Sequence, residues 1–212
     1  MPDTTLPRTP AGTIRVGYHG STEVTSHIVA MAGHDTTTTL LRQYDIADPF
    51  RELRAGEFDL IVVKFGLDEP DLATSKPLAH DARAAVMSAS HPLAHRESVS
   101  IEELADHDAF DRPGEMPAYV WDEVVPAHTP AGRPIHRRHR VTTVPDMMRL
   151  VAGGDAVHIS LISLADIAPP GIRVVPIHDL PTAPVSLAWL HTAEQPAVVG
   201  NFISTAEAAA AP

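Results

Sequence analysis

Histidine, serine and lysine side chains at three places in the sequence could bind or transform a small molecule. His19 and Ser21 lie in a short glycine turn, Lys64 directly follows an apolar run, and His158 interrupts another apolar run. A serine hydroxyl, the amides of a helix and a lysine ammonium group together attract an anion. An imidazole can donate a hydrogen bond or exchange a proton near neutral pH. These residues predict either a site for an anionic ligand or an acid–base centre.

The stretch from residue 13 to residue 22 must position the first of these groups. It predicts a short strand, a turn at Gly17 and Gly20, and a helix for which Ser21 or Thr22 is the N-cap. A strand that ends at a helix N-terminus directs free amides into the crevice at the carboxyl edge of a sheet, where open α/β folds bind ligands. A purely structural N-cap is the alternative interpretation of Ser21.

The remaining pattern predicts an α/β protein. Strands at 13–18, 38–46 and 58–63 alternate with helices at 21–33 and 48–56, which indicates a parallel sheet. Asp48 is the predicted N-cap of the second helix, and further strands are predicted at 72–79 and 82–89. A second group of elements begins with a capping box at Ser100 and includes a helix capped by Thr143, strands near 138–142, 157–162 and 172–176, and a return strand at 185–190. A final helix at about 195–210 carries an apolar stripe that we expect to pack on the first group.

Composition restricts the function. The formal net charge of −11 argues against direct binding of nucleic acid by this chain, and the absence of cysteine excludes thiolate metal sites and a cysteine nucleophile. No apolar run is as long as a membrane span and no signal peptide is visible, so we expect a cytoplasmic location and no membrane contact. The 13 histidines have no spacing that specifies a metal, and no cofactor motif is present.

Several stretches, in this order, carry a resemblance to a known family. They are 14–21, 53–63, 69–72, 91–94, 104–107, 150–154 and 187–189. Over nearly the whole chain the sequence resembles the effector-binding domain of LysR-type transcriptional regulators. The resemblance implies a type 2 periplasmic-binding-protein fold, in which two Rossmann-like α/β lobes are joined by two crossover strands and hold a small ligand in the cleft between them.

The resemblance also implies positions for ligand contacts. Ser21 matches a position where the family often has a Ser or Thr that touches the ligand carboxylate, Thr143 matches a second contact region, and Lys64 and Phe65 match residues at the cleft mouth. Together with the analysis of the turn, the predicted ligand-binding set is His19, Gly20, Ser21, Thr22, Ile46, Lys64, Phe65, Arg112, Thr143 and His158. For Lys64 and Arg112 a solvated surface role is the alternative, and for His158 a packed core histidine.

The basic run at residues 133–140 has two interpretations. It could contact an acidic partner or form a weak His-x-x-His metal site, but a solvated strand edge is the interpretation that we favour. Within the predicted fold, residues 1–11 form a flexible leader, residues 12–86 and 190–212 form the first lobe, and residues 87–189 form the second lobe.

Two hypotheses for function follow. The first is a sensor domain that closes on a carboxylate-bearing or polar metabolite, as a possible homodimer, within a transcriptional regulator. The second is a stand-alone enzyme or biosynthetic-pathway protein, motivated by the lack of the helix-turn-helix segment with which the family's regulators begin. In the second hypothesis His19 and His158 are the catalytic candidates, with Lys64 beside them in the cleft.

Overall fold

A computed structural model describes residues 12–191 and 196–211, in which short strands and helices alternate. The strands are β1 (Ile14–Tyr18), β2 (Thr39–Gln43), β3 (Leu60–Val63), β4 (Leu72–Thr74), β5 (Ala79–Asp81), β6 (Arg83–Ser88), β7 (Asp108–Phe110), β8 (His136–His139), β9 (His158–Leu161), β10 (Ile172–Pro176) and β11 (Ala183–Leu190). The helices are α1 (Thr22–Met31), α2 (Arg51–Arg54), α3 (Ile101–Leu104), α4 (Ala118–Val124), α5 (Val144–Gly153) and α6 (Ala197–Ala209), and a 3₁₀ helix covers Ile162–Ile167.

The first sheet has the strand order β2-β1-β3-β11-β4, and β5 also pairs with β11. β1 runs parallel to both β2 and β3, as the alternation of strands and helices predicted. β11 runs antiparallel to β3, β4 and β5. The carboxyl ends of β1 and β3 therefore lie at the same edge of this sheet.

Strand β3 is apolar throughout because both of its faces are buried. Leu60 and Val62 belong to a core beneath α1 and α6, whereas Ile61 and Val63 point to the opposite face and join a larger core that extends into the second lobe. The predicted stripe on α6, Val199, Phe202, Ile203 and Ala206, is buried in the first of these cores. The α6 helix therefore packs where the sequence predicted.

The second sheet is antiparallel and has the order β10-β6-β9. A two-stranded parallel pair, β7 and β8, lies beside it, and the Val157 amide donates to the Asp108 carbonyl to connect the two. The chain passes from the first sheet to the second between β5 and β6, and it returns between β10 and β11. Two crossings between two sheets are what the predicted two-lobe architecture requires.

Strand pairing shows to which sheet the strands near the predicted lobe boundaries belong. Residues 83–88 pair within the second sheet, and residues 183–190 pair within the first sheet. The boundaries themselves stay a prediction, and the predicted leader at 1–11 lies outside the described residues.

Three predicted elements differ from the structure. The helix predicted at 48–56 is the single turn Arg51–Arg54, because the chain at 46–50 forms turns and Phe50 rather than an acidic residue takes the N-cap position. The strand predicted at 72–79 is divided into β4 and β5, and the strand predicted at 138–142 is β8, two residues earlier at its start. Within the described ranges no helix is long and apolar enough to cross a membrane.

Candidate functional site

A cavity of about 130 Å³ lies between the two sheets and is partly open to solvent. Its wall on the first-sheet side is formed by residues that follow β1, β2 and β3, namely His19, Gly20, Tyr44, Ile46, Lys64 and Phe65. Its wall on the second-sheet side includes Phe110, Met116, Trp121, Thr143, Met147 and His158. Aromatic and aliphatic side chains dominate both walls, which is typical of small-molecule sites.

The structure brings most of the predicted ligand-binding set to this cavity. His19, Gly20, Ile46, Lys64, Phe65, Thr143 and His158 line it, whereas Ser21, Thr22 and Arg112 do not. That these residues contact a ligand stays a prediction. Their position at one cavity, from both lobes, is the geometry that the prediction requires.

Ser21 is buried and caps α1, as its place in the turn predicted. Its hydroxyl oxygen accepts a hydrogen bond from the Glu23 amide at 3.1 Å. The same hydroxyl donates to the carboxylate of Asp166, which belongs to the 3₁₀ helix after β9. The two interactions occupy both the acceptor and the donor of the Ser21 hydroxyl, and the second joins the two sides of the cleft.

Lys64 is not the free cation that the sequence suggested. Its ammonium group donates to Asp81 Oδ2 at 2.9 Å and to Ser163 Oγ at 2.6 Å. The side chain of Asp81 is only 4% exposed and that of Lys64 13%, so the pair is largely removed from water. The Ser163 amide also donates to Asp81, at 3.3 Å. The positive charge of Lys64 is thus already balanced by a carboxylate of the same chain.

Thr143 caps α5, whose N-terminus reaches the second-lobe wall of the cavity. The Asp146 amide donates to Thr143 Oγ1 at 3.2 Å, and that hydroxyl donates back to Asp146 Oδ2 at 2.7 Å. The hydrogen bond from Thr143 lowers the pKa of Asp146, with a smaller contribution from Arg149. An ionised carboxylate therefore lies in the first turn of α5, where the helix dipole favours it.

His158 is buried on the second-lobe wall among aromatic rings. Its imidazole stacks on Trp121 with a centroid separation of 6.2 Å and meets the edge of Phe110 at 5.4 Å. Its Nδ1 atom has no hydrogen-bond partner within the described part of the chain. Burial, together with the nearby charge of Arg83, lowers the pKa of His158 to about 3. The ring is neutral at pH 7, and one of its nitrogens remains unpaired.

His19 lies on the opposite wall, with its ring 5.8 Å from that of Tyr44. Burial is the main cause that lowers the pKa of His19 to about 4, and the charge of Lys64 adds to it. Both histidines are therefore neutral near pH 7. In that state they can exchange hydrogen bonds with a ligand, but they carry no charge with which to attract an anion.

Arg112 belongs to a neighbouring polar pocket in the second lobe. Its guanidinium donates to the Met116 carbonyl at 2.7 Å, so the side chain folds back on its own loop and does not reach the cavity. Thr22 is exposed on the first turn of α1. The structure therefore does not support the prediction that Arg112 and Thr22 contact a ligand in this cavity.

The basic run at residues 133–140 is internally neutralised. Its arginines pair with acidic residues of the second lobe, in the combinations Arg133–Asp106, Arg137–Asp122, Arg138–Asp108 and Arg140–Asp111. The part of the run at 136–139 is β8, which pairs with β7. The arrangement agrees with the favoured interpretation of a solvated strand edge, because each arginine of the run already has an acidic partner among the described residues.

Sequence reasoning missed several residues of the cavity and its rim. Phe110, Met116, Trp121 and Met147 line the second-lobe wall, but in the sequence their apolar side chains indicate only a core. Asp166 has no local motif that would mark it, because its partner Ser21 is 145 residues away. Among residues 12–191 and 196–211 no group of three or more His, Asp or Glu side chains is arranged to hold a metal ion.

The fold is similar to that of solved LysR-type regulators. The full-length regulator CbnR bound to its target DNA matches with a TM-score of 0.74 and 19% identity, over 93% of this chain and 70% of that one. The BenM effector-binding domain with benzoate gives 0.67 and 17%, over 92% and 90%, and the QuiR effector-binding domain with shikimate gives 0.65 and 22%, over 93% and 96%. No curated protein matches the sequence.

The model of the LysR substrate binding domain matches residues 8–211, which is nearly the entire sequence. This match confirms the predicted family, and the solved structures confirm the predicted type 2 periplasmic-binding-protein fold. The chain therefore belongs to the family of LysR substrate-binding domains.

Proposed function

We propose that this chain is the effector-binding domain of a LysR-type transcriptional regulator and that it binds one small molecule in the cavity between its lobes. The observation that carries the proposal is the apolar cavity itself, lined from both sheets by seven residues that had been predicted as ligand contacts, His19, Gly20, Ile46, Lys64, Phe65, Thr143 and His158. A cavity at the interface of two lobes is the preferred place for such a site.

The size of the cavity supports a ligand of about one ring. An engineered protein cavity of about 150 Å³ binds benzene, and the volume here is about 130 Å³. The related domains of BenM and QuiR were solved with benzoate and with shikimate, each of which has a single six-membered ring. We therefore propose a monocyclic or similarly small effector.

A ligand in this position would act on the separation of the lobes. Contacts from Ser21 to Asp166 and from Lys64 to Ser163 bridge the cleft. A ligand in the cavity would add its own contacts with both lobes and so favour the closed arrangement. A ligand shifts such an equilibrium only by its difference in affinity for the two arrangements. We propose that closure on the ligand is the signal passed to the DNA-binding part of the regulator.

The remaining parts of the proposal concern partners and location. We propose that the domain works as a homodimer in the cytoplasm, and that DNA is contacted by another part of the regulator. The net charge of −11 supports the last point, because an acidic surface repels the phosphate backbone.

Thermal unfolding with a panel of one-ring compounds at millimolar concentration tests the proposal. A ligand present at 100 times its Kd stabilises the folded state by about 2.7 kcal/mol, which raises the Tm by about 5–11 °C for a chain of this size. Val144 is partly buried on the cavity wall, so Val144→Phe should remove the shift. Val198→Phe, the same change at an exposed position of α6, is the matched control and should retain it.

An unchanged ligand-induced shift in Val144→Phe would contradict the proposal, because binding would then occur outside the cavity. Loss of the shift in both variants would also contradict it, since the effect would not depend on the cavity. Melting of each variant without ligand shows whether the substitution itself alters folding.

The enzyme hypothesis has one observation in its favour, which is that His19 and His158 line the same cavity. However, an efficient general acid or base has a pKa near the working pH, and the pKa values of these histidines are lowered to about 4 and about 3. These lowered pKa values favour ligand binding over proton transfer. Loss of turnover of a bound compound in His19→Ala or His158→Ala would reverse this choice.

A further inference from the structure

We infer that the ligand of this cavity is uncharged and largely apolar, with about one hydrogen-bonding group, rather than a carboxylate. The inference rests on the proposed function and specifies the chemical class of its ligand. It reverses the expectation from sequence that Ser21, the α1 amides and Lys64 receive an anion. Its basis is that each feature from which the sequence predicted an anion site at the cleft is already matched with an acidic side chain of the chain itself.

The N-terminus of α1 is the first such feature. Its cap, Ser21, directs its hydroxyl proton to Asp166, so a carboxylate already lies at the position where an anionic ligand would meet the hydroxyl. A second carboxylate brought to the same hydroxyl would lack a donor and would be repelled by Asp166.

The N-terminus of α5 is the second feature, and it is occupied in the same way. Asp146 accepts a hydrogen bond from the cap residue Thr143 and pairs with Arg149 on the outer side of the helix. Asp146, in the first turn of α5, therefore already provides the negative charge that the helix dipole favours.

The charged side chains around the cavity are the third feature. Within the described chain, Lys64 is the one Lys or Arg that lines the cavity, and it is paired with buried Asp81. The acidic lining residue Asp111 is paired with Arg140. Arg83 is buried and forms no ion pair within the described residues, but it is not among the residues that line the cavity, and its guanidinium donates to the Val124 carbonyl.

An anion that entered this cavity would therefore lose hydration without gaining a free cation among the described residues that line it. Transfer of an unpaired carboxylate into such surroundings is strongly unfavourable. A neutral ring loses little on transfer and gains contacts with Trp121, Phe110 and Met147. The imidazole of His158 lines the cavity and offers one hydrogen bond, which accounts for the polar group that we infer.

Matched pairs of ligands, equal in shape but different in charge, test this inference. Benzoate with benzamide and phenylacetate with phenylacetamide are titrated into the chain by calorimetry at pH 7.5, where both histidines are neutral. We expect the amide of each pair to bind the wild-type chain at least about tenfold more tightly than the carboxylate. In Asp166→Ala we expect the carboxylate to gain affinity by up to about fivefold, which is the effect of removing one unit charge at a separation of about 4 Å in water, while amide binding changes by less than about twofold.

Asp106→Ala is the matched control, because it removes another exposed carboxylate of the second lobe, one that pairs with Arg133 and does not line the cavity. It should change neither affinity. Carboxylates that bind the wild-type chain as tightly as the amides, through a cavity that Val144→Phe blocks, would overturn the inference and leave the proposed function intact. Binding of either class that Val144→Phe does not weaken would overturn the proposed function instead.

Discussion

The buried pair of Lys64 and Asp81 gives the sharpest stability prediction. Lys64→Met removes the ammonium group and leaves the Asp81 carboxylate, 4% exposed, with the Ser163 amide at 3.3 Å as its remaining donor within the described residues. Loss of one partner from a buried ion pair costs about 3–5 kcal/mol, because the other charge stays buried without compensation. For a chain of this size that cost corresponds to a fall in Tm of about 6–20 °C.

The same reasoning predicts a rescue. Replacing both charges in Lys64→Met/Asp81→Leu removes the uncompensated carboxylate, and buried pairs replaced by apolar residues are often neutral for stability. We therefore expect the double variant to be at least about 2 kcal/mol more stable than Lys64→Met alone. Arg149→Met is the surface control, since the side chain of Arg149 is 72% exposed and its pair with Asp146 should contribute little to stability.

Urea denaturation followed by tryptophan fluorescence measures these free energies of unfolding. A loss below about 1 kcal/mol in Lys64→Met, or a double variant no more stable than the single one, would refute the reasoning. The first result would mean that water reaches Asp81 freely. The second would mean that the lost stability comes from the methylene chain of Lys64 rather than from its charge.

Three further predictions concern pH and packing. Burial holds the pKa of His158 at about 3, below an unfolded value of about 6.5, so the unfolded chain binds the proton first and stability is lost as pH falls from about 6.5 toward 3. At about 1.4 kcal/mol per pH unit, urea curves at pH 6.5 and pH 5 should differ by about 2 kcal/mol more in the wild-type chain than in His158→Phe. Gly17→Ala should cost about 1–3 kcal/mol because its Cβ would lie 2.8 Å from Ile61 Cγ2, whereas Gly200→Ala, with open space on α6, should gain about 0.5–1 kcal/mol in the same assay. Ser21→Ala should lose about 1 kcal/mol from the α1 cap yet keep its affinity for a neutral ligand, and a large loss of that affinity in calorimetry would argue for direct contact.

Local signals in the sequence predicted much of the fold because they act over a few residues. The capping box at Ser100 forms as predicted, with Glu103 accepting a hydrogen bond from the Ser100 amide, and Ser21 and Thr143 both cap their helices. The apolar run of β3 and the stripe of α6 are buried as expected. Such patterns specify an element and its buried face without reference to the rest of the chain.

Partners across the cleft could not be predicted in this way. Ser21 and Asp166 are 145 residues apart, and Lys64 and Ser163 are 99 residues apart. Whether a capping hydroxyl faces a ligand or an aspartate depends on how the two lobes pack, which no local pattern records. The sequence therefore identified the residues near the cavity but assigned them a free charge and a free hydroxyl that the packed chain does not leave available.

The affinity expected for a neutral one-ring ligand follows from the surface that it buries. One aromatic ring buries about 150–250 Å², which at about 25 cal/mol per Å² contributes about 4–6 kcal/mol. A hydrogen bond to the imidazole of His158, which lines the cavity, adds about 1 kcal/mol. The sum corresponds to a Kd between about 0.2 mM and a few micromolar. Calorimetry that gave a nanomolar Kd for a one-ring carboxylate would require a strong charge interaction, and the pairing of Lys64 with Asp81 and of Ser21 with Asp166 leaves no place for one among the described residues that line the cavity.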